Sequence, residues 1–129
     1  MKIYIPIILI LVLITSCTIE RNDVVGTYVA QNLNNNIDTL RIFENAKYIR
    51  KLYRKSDRSL IYCNTGKWKY TNERITLENF FPDEDEVYSH EEGEFENVLI
   101  TSSLNINRKF NKIIIYYMQL TEHKYYEKQ

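Results

Sequence analysis

Lys67-Trp68-Lys69-Tyr70-Thr71-Asn72-Glu73-Arg74-Ile75-Thr76-Leu77 alternates cations with aromatics, breaks at polar residues, and resumes with Ile75 and Leu77 two positions apart. Successive strand side chains point to opposite faces, so Trp68 and Tyr70 share one face while Lys67 and Lys69 share the other. The stretch predicts two antiparallel strands joined by a turn at 71–73.

The same alternation extends in both directions. Upstream, runs rich in β-branched and aromatic residues occupy 24–30, 37–43, 48–54 and 59–63. Turns are expected at 44–47, at 55–58 and at Asn64-Thr65-Gly66, and Asn32, Asn34, Asn35 and Asn36 read as a loop. Downstream runs cover 74–80, 95–101, 104–110 and 112–120. A helical period of 3.6 is sustained nowhere beyond the first sixteen residues. Eight or nine short sequential strands predict an all-β fold, a single antiparallel meander that removes its edges by closing into a barrel of about eight strands. The chain length of 129 residues fits one domain, since a domain takes about 100–200 residues.

The amino-terminal end reads differently. Lys2 precedes an apolar run from Ile3 to Ile14, which matches a signal-peptide core of about 7–15 residues and falls short of the roughly 20 that span a bilayer. Its end, Ile14-Thr15-Ser16-Cys17, resembles the bacterial lipoprotein signal of an aliphatic residue, two small residues and Cys. The resemblance implies cleavage between Ser16 and Cys17, a diacylglyceryl group on the thiol, and a palmitate-type acyl chain on the freed amine. One acyl chain binds a membrane marginally, whereas two or more anchor it stably. Lipidation of Cys17 leaves Cys63 alone as a small packed residue. The rival is a soluble secreted protein with a Cys17–Cys63 bridge. The expected organisation is a leader at 1–16, a lipidated tether at 17–23, a barrel at 24–120 and a polar tail at 121–129. Thr18 after the Cys, where inner-membrane retention would favour Asp, points to an outer-membrane lipoprotein. Its placement on the periplasmic face or the cell surface stays open.

Val24-Val25-Gly26-Thr27-Tyr28, Asp38-Thr39-Leu40-Arg41-Ile42, Tyr48, Gly66-Lys67-Trp68-Lys69-Tyr70 and Ile75-Thr76-Leu77 together resemble the small lipocalin-like domains of bacterial lipoproteins. The resemblance covers 24–80 and implies a calycin-type barrel. Two positions depart from the pattern. Tyr28 stands where lipocalins open with Trp, and Asn45 and Ala46 stand where the second turn usually carries Gly; Asn tolerates the positive φ such a turn needs. The resemblance implies a fold and not a ligand.

Enzyme signatures are missing. With only Gly26, Gly66 and Gly93, the chain has neither a P-loop nor a dinucleotide fingerprint, and no Ser lies in a nucleophile elbow. His90 and His123 lie apart in polar segments without zinc spacing. The expectation is a non-enzymatic protein with no cofactor and no metal.

Charge is segregated. The 17 basic and 17 acidic residues cancel. Ten of the basic residues fall within 41–74, whereas 78–96 holds nine acidic residues and no Lys or Arg. Interleaved Tyr and Trp in the basic half superficially suggest a nucleic-acid sheet, but no RNP motif is present and the leader directs the chain out of the cytoplasm. Strand alternation places the aromatics in the core and the cations outside, where anionic headgroups or glycans are a possible contact. Asp83-Glu84-Asp85-Glu86 lacks calcium-loop spacing, which leaves a solvated loop, a docking loop for a basic partner or a cation loop. Tyr28, Trp68 and Tyr70 are candidate lining for a ligand cavity, since an eight-stranded barrel is either filled or holds one small ligand. Two functions are expected from these residues: binding of a small hydrophobic or lipid-like ligand in the barrel, or recognition of an envelope protein through the acidic loop.

Overall fold

Strand β3 (Lys47–Arg54) buries Tyr48, Arg50 and Leu52 and exposes Lys47 and Lys51, the period-two pattern of a sheet with one face packed. In the computed structural model, which describes residues 18–81, 100–117 and 124–129, this pattern is found in several of eight strands, while Ile113, Ile114 and Ile115 are buried in succession. A one-turn helix α1 (Arg21–Val24) precedes β1 (Gly26–Gln31), β2 (Asn36–Ile42), β3, β4 (Leu60–Thr71) and β5 (Arg74–Glu78). Strands β6 (Thr101–Lys109), β7 (Lys112–Tyr116) and β8 (Tyr125–Lys128) follow. Every neighbouring pair is antiparallel, and β8 pairs back onto β1, so the meander is a closed barrel. The all-β class and the closed antiparallel barrel are as expected.

The turns explain the register. Thr71 pairs with Arg74 across Asn72 and Glu73, both at positive φ, and Lys109 pairs with Lys112 across Phe110 and Asn111, also both positive. Two left-handed residues in a two-residue loop match the twist of a hairpin. In the β2–β3 turn the left-handed residue is Ala46 (φ 63°), not Asn45, whose side-chain oxygen accepts from the Lys47 amide at 3.3 Å.

Three expectations are corrected. Asn64-Thr65-Gly66 is no turn but the middle of the twelve-residue β4, whose first half pairs with β3 and second half with β5. A Cβ on Gly66 would collide with the Glu78 carbonyl and the Tyr48 ring, so this glycine marks a close approach inside a strand. The polar tail expected at 121–129 contains β8, which joins β7 to β1 and buries Tyr126. The tether expected at 17–23 is largely part of the fold, because Ile19 is buried in the core and α1 follows it. The run expected at 95–101 falls almost wholly outside the described residues, as do Ser16 and Cys17.

The strand ends define two poles. At the base lie Gly26, Ile42, Lys47, the 71–74 turn and the 109–112 turn. The base is filled by Ile19, Val24 and Val25. At the rim lie the 31–36 and 54–60 connections and residues 81 and 100, between which the acidic segment 82–99 leaves and re-enters the described barrel.

Candidate functional site

Strand alternation places Asp38 on the face of Leu40 and Ile42, and Arg50 on the face of Tyr48 and Leu52. Register sets Leu40 opposite Arg50 and Asp38 opposite Leu52, so Asp38 and Arg50 are diagonal neighbours inside the barrel. Both are fully buried. Arg50 Nη2 lies 2.7 Å from Asp38 Oδ2, and Nε lies 3.1 Å from both carboxylate oxygens. The Tyr126 hydroxyl, brought in by β8, donates to the same Oδ2 at 2.7 Å. Burial alone would lower the Arg50 pKa, but facing Tyr126 and Asp38 outweighs it and holds the guanidinium above its ordinary value, hence charged. Burial, and then Asp38, push the Tyr126 phenol well above 10.0.

The rest of this guanidinium holds the root of the acidic segment. Nη1 donates to the Phe81 carbonyl at 2.5 Å, and the guanidinium carbon sits 4.7 Å from the Phe80 ring centroid. Phe80 is buried, with its ring edge-on to Tyr48 and Tyr126. Tyr48 Oη donates to the Glu78 carbonyl at 2.5 Å, Ser102 Oγ donates to the Phe80 carbonyl at 2.7 Å, and Asn64 Nδ2 donates to the Asn79 carbonyl. Residues 78–81 are therefore fixed one after another by barrel side chains. All three Arg50 nitrogens donate within the chain and the guanidinium lies over Phe80, so the group fastens the root of the acidic segment to the barrel.

The three aromatic residues expected to line a cavity are at the base. Tyr28 Oη donates to the Val24 carbonyl at 2.7 Å, Tyr70 Oη to the Ile19 carbonyl at 2.7 Å, and Trp68 Nε1 to the Phe43 carbonyl at 2.8 Å. Arg21 stacks 4.5 Å from the Trp68 ring centroid and donates to the Glu44 carbonyl at 3.1 Å. The Tyr28 and Tyr70 hydroxyls thus seal the amino-terminal segment into the base, while the Trp68 indole ties down the β2–β3 turn and stacks on Arg21. Burial, reinforced by Asp23, raises the Tyr28 pKa.

Asp83, Glu84, Asp85 and Glu86 fall outside the described residues. Cys63 is exposed rather than packed and forms no disulfide among the described residues. Most of the basic stretch faces outward as expected, with Arg50 the exception. Among the described residues no cluster of His, Cys, Asp or Glu is arranged to hold a metal, and no helix is long and apolar enough to cross a membrane.

Sequence reading missed the Asp38–Arg50–Tyr126 centre, yet its signal was present. In Tyr48-Ile49-Arg50-Lys51-Leu52, the period of two places Arg50 with Tyr48 and Leu52, and Asp38 shares the phase of Leu40 and Ile42. Two opposite charges on the inward phase of adjacent strands indicate a buried pair. Comparison with protein-family models, curated proteins and solved structures yields no match to this chain.

Proposed function

We propose that this protein is a non-enzymatic lipoprotein of the bacterial cell envelope, held to the membrane through Cys17, whose lipocalin-like barrel presents the acidic segment around Asp83, Glu84, Asp85 and Glu86 to a basic partner protein. The observation that carries this reading is the polarity of the barrel. The amino-terminal segment is built into the base, while the acidic segment springs from the opposite rim, at residues 81 and 100. A root pinned by Arg50, Tyr48, Asn64 and Ser102 limits the conformational entropy lost on docking, which favours recognition.

A small hydrophobic ligand in the barrel draws less support. Trp68, Tyr28, Tyr48, Tyr126, Phe80 and Arg50 occupy the described interior with their polar tips bonded within the chain. Two grooves among the described residues, about 310 and 500 Å³, are lined mostly by polar and charged residues, with Ile113 in one and Ile61 in the other.

The test is crosslinking in envelope preparations with the intact chain and with D83N/E84Q/D85N/E86Q. Expected is one discrete crosslinked partner that the variant loses while its melting temperature is unchanged. Equal capture by both chains overturns the reading.

A further inference from the structure

Phe110 is 90% exposed at the tip of the β6–β7 hairpin, a position of positive φ (50°) that Gly or Asn would occupy without steric cost. The hairpin sequence is Arg108-Lys109-Phe110-Asn111-Lys112, three cations around one aromatic with no acid among them. Beyond the last β5 pairing at Asn105, residues 106–109 carry the tip about 13 Å further along the strand, at roughly 3.3 Å per residue. The hairpin end is at the base and touches the amino-terminal segment, with Arg108 Nη2 3.5 Å from Asp23 Oδ2.

The distance from this base to position 17 is short. Ile19 is buried, and its carbonyl is held by Tyr70. Two residues of extended chain reach at most about 7 Å, so residue 17 stays within that distance of a packed core residue. A lipid there would hold the base of the barrel against the bilayer instead of letting the domain float on a leash.

We infer that the β6–β7 hairpin is a second membrane contact, with Phe110 entering the interface of an anionic lipid surface and Lys109, Arg108 and Lys112 meeting its headgroups. Asp23 and Glu127 partly neutralise Arg108 and Lys112, which leaves Lys109 as the leading headgroup contact. A large apolar ring beside several cations matches an interfacial site, where burial and headgroup attraction add. This inference rests on the anchored reading above, and the experiment separates the two.

The full chain carrying F110W is purified with any lipid it bears and reconstituted in brominated vesicles, either phosphatidylcholine alone or with phosphatidylglycerol. Native Trp68, 1% exposed, serves as an internal unquenched reference. Expected is quenching of the introduced indole by about twofold or more in anionic vesicles, reduced in high salt and by the added change K109E. A protein that co-floats with the vesicles but keeps its indole unquenched overturns the hairpin contact and leaves the anchor standing. Equal quenching in both vesicle types overturns the anionic surface. If intact mass shows no acyl group, the anchor reading fails, and quenching with protein added to preformed vesicles still decides the hairpin.

Discussion

Asp38 and Arg50 face each other across adjacent strands with Nη2 and Oδ2 2.7 Å apart and neither side chain exposed. Removing one partner of a buried pair leaves an uncompensated charge, at a cost of about 3–5 kcal/mol, whereas an apolar replacement of both is often near neutral. D38N and R50M are each expected to lose stability on that scale in urea unfolding, and D38L/R50M markedly less. Single variants as stable as the double would show that the pair is not coupled.

Arg50 also holds the Phe81 carbonyl, so R50M differs from D38N in a second respect. Amide hydrogen exchange near residues 79–81 is expected to speed up more in R50M than global destabilisation explains. Equal protection in the two variants, once corrected for stability, would separate the root of the acidic segment from the ion pair.

Alkaline pH acts through the buried phenols. The folded-state pKa of Tyr126 is raised above its unfolded value of 10.0, so its contribution is complete below pH 10 and lost as pH rises through the folded value. Between the unfolded and the folded value, one such phenol lowers stability by up to about 1.4 kcal/mol per pH unit. Tyr28 and Tyr48 shift in the same direction, chiefly by burial. Melting temperature is expected to fall steeply above pH 10, with part of the tyrosinate absorbance appearing only on unfolding. Y126F is expected to flatten this decline and to lose about 1–3 kcal/mol at neutral pH through the orphaned Asp38 oxygen.

Gly66 lets the Tyr48 ring cross β4 and reach the Glu78 carbonyl. Because the added methyl of G66A would meet backbone as well as ring, a loss of at least about 1–3 kcal/mol is expected, the range for overpacked cores. An unchanged melting temperature would refute this role.

Deleting residues 124–129 removes β8, and with it both seams that close the sheet. The truncated chain is expected to lose cooperative unfolding and to aggregate through the freed edges of β1 and β7. A sharp transition would mean that the seven remaining strands suffice.

Much of the barrel was legible because its signal is local. The 67–77 hairpin, the inward phase of β3 and the chain order of the strands all follow from a period of two and from turn residues. What escaped depends on contacts distant in sequence. Asn64-Thr65-Gly66 has turn composition, but the requirement met there is room for Tyr48, eighteen residues earlier. Lys124 to Gln129 looks like a solvated tail until Tyr126 is seen against Asp38, 88 residues away. At the base, the inward phase of Tyr28, Trp68 and Tyr70 follows from alternation, but the engagement of their polar tips by the carbonyls of Val24, Phe43 and Ile19 is a tertiary fact. The Arg50 phase was readable; the prior that cations lie outside concealed it.

The pairing of β1 with β8 brings together residues about a hundred positions apart, such as Tyr28 and Lys128. Loop-closure entropy makes such a contact late in folding. A polypeptide emerging amino end first, from a ribosome or a translocation pore, therefore offers its opening strand long before the complement arrives. Closure of the sheet waits for β8 to emerge, and until then β1 and β7 each keep an outer edge without its complement.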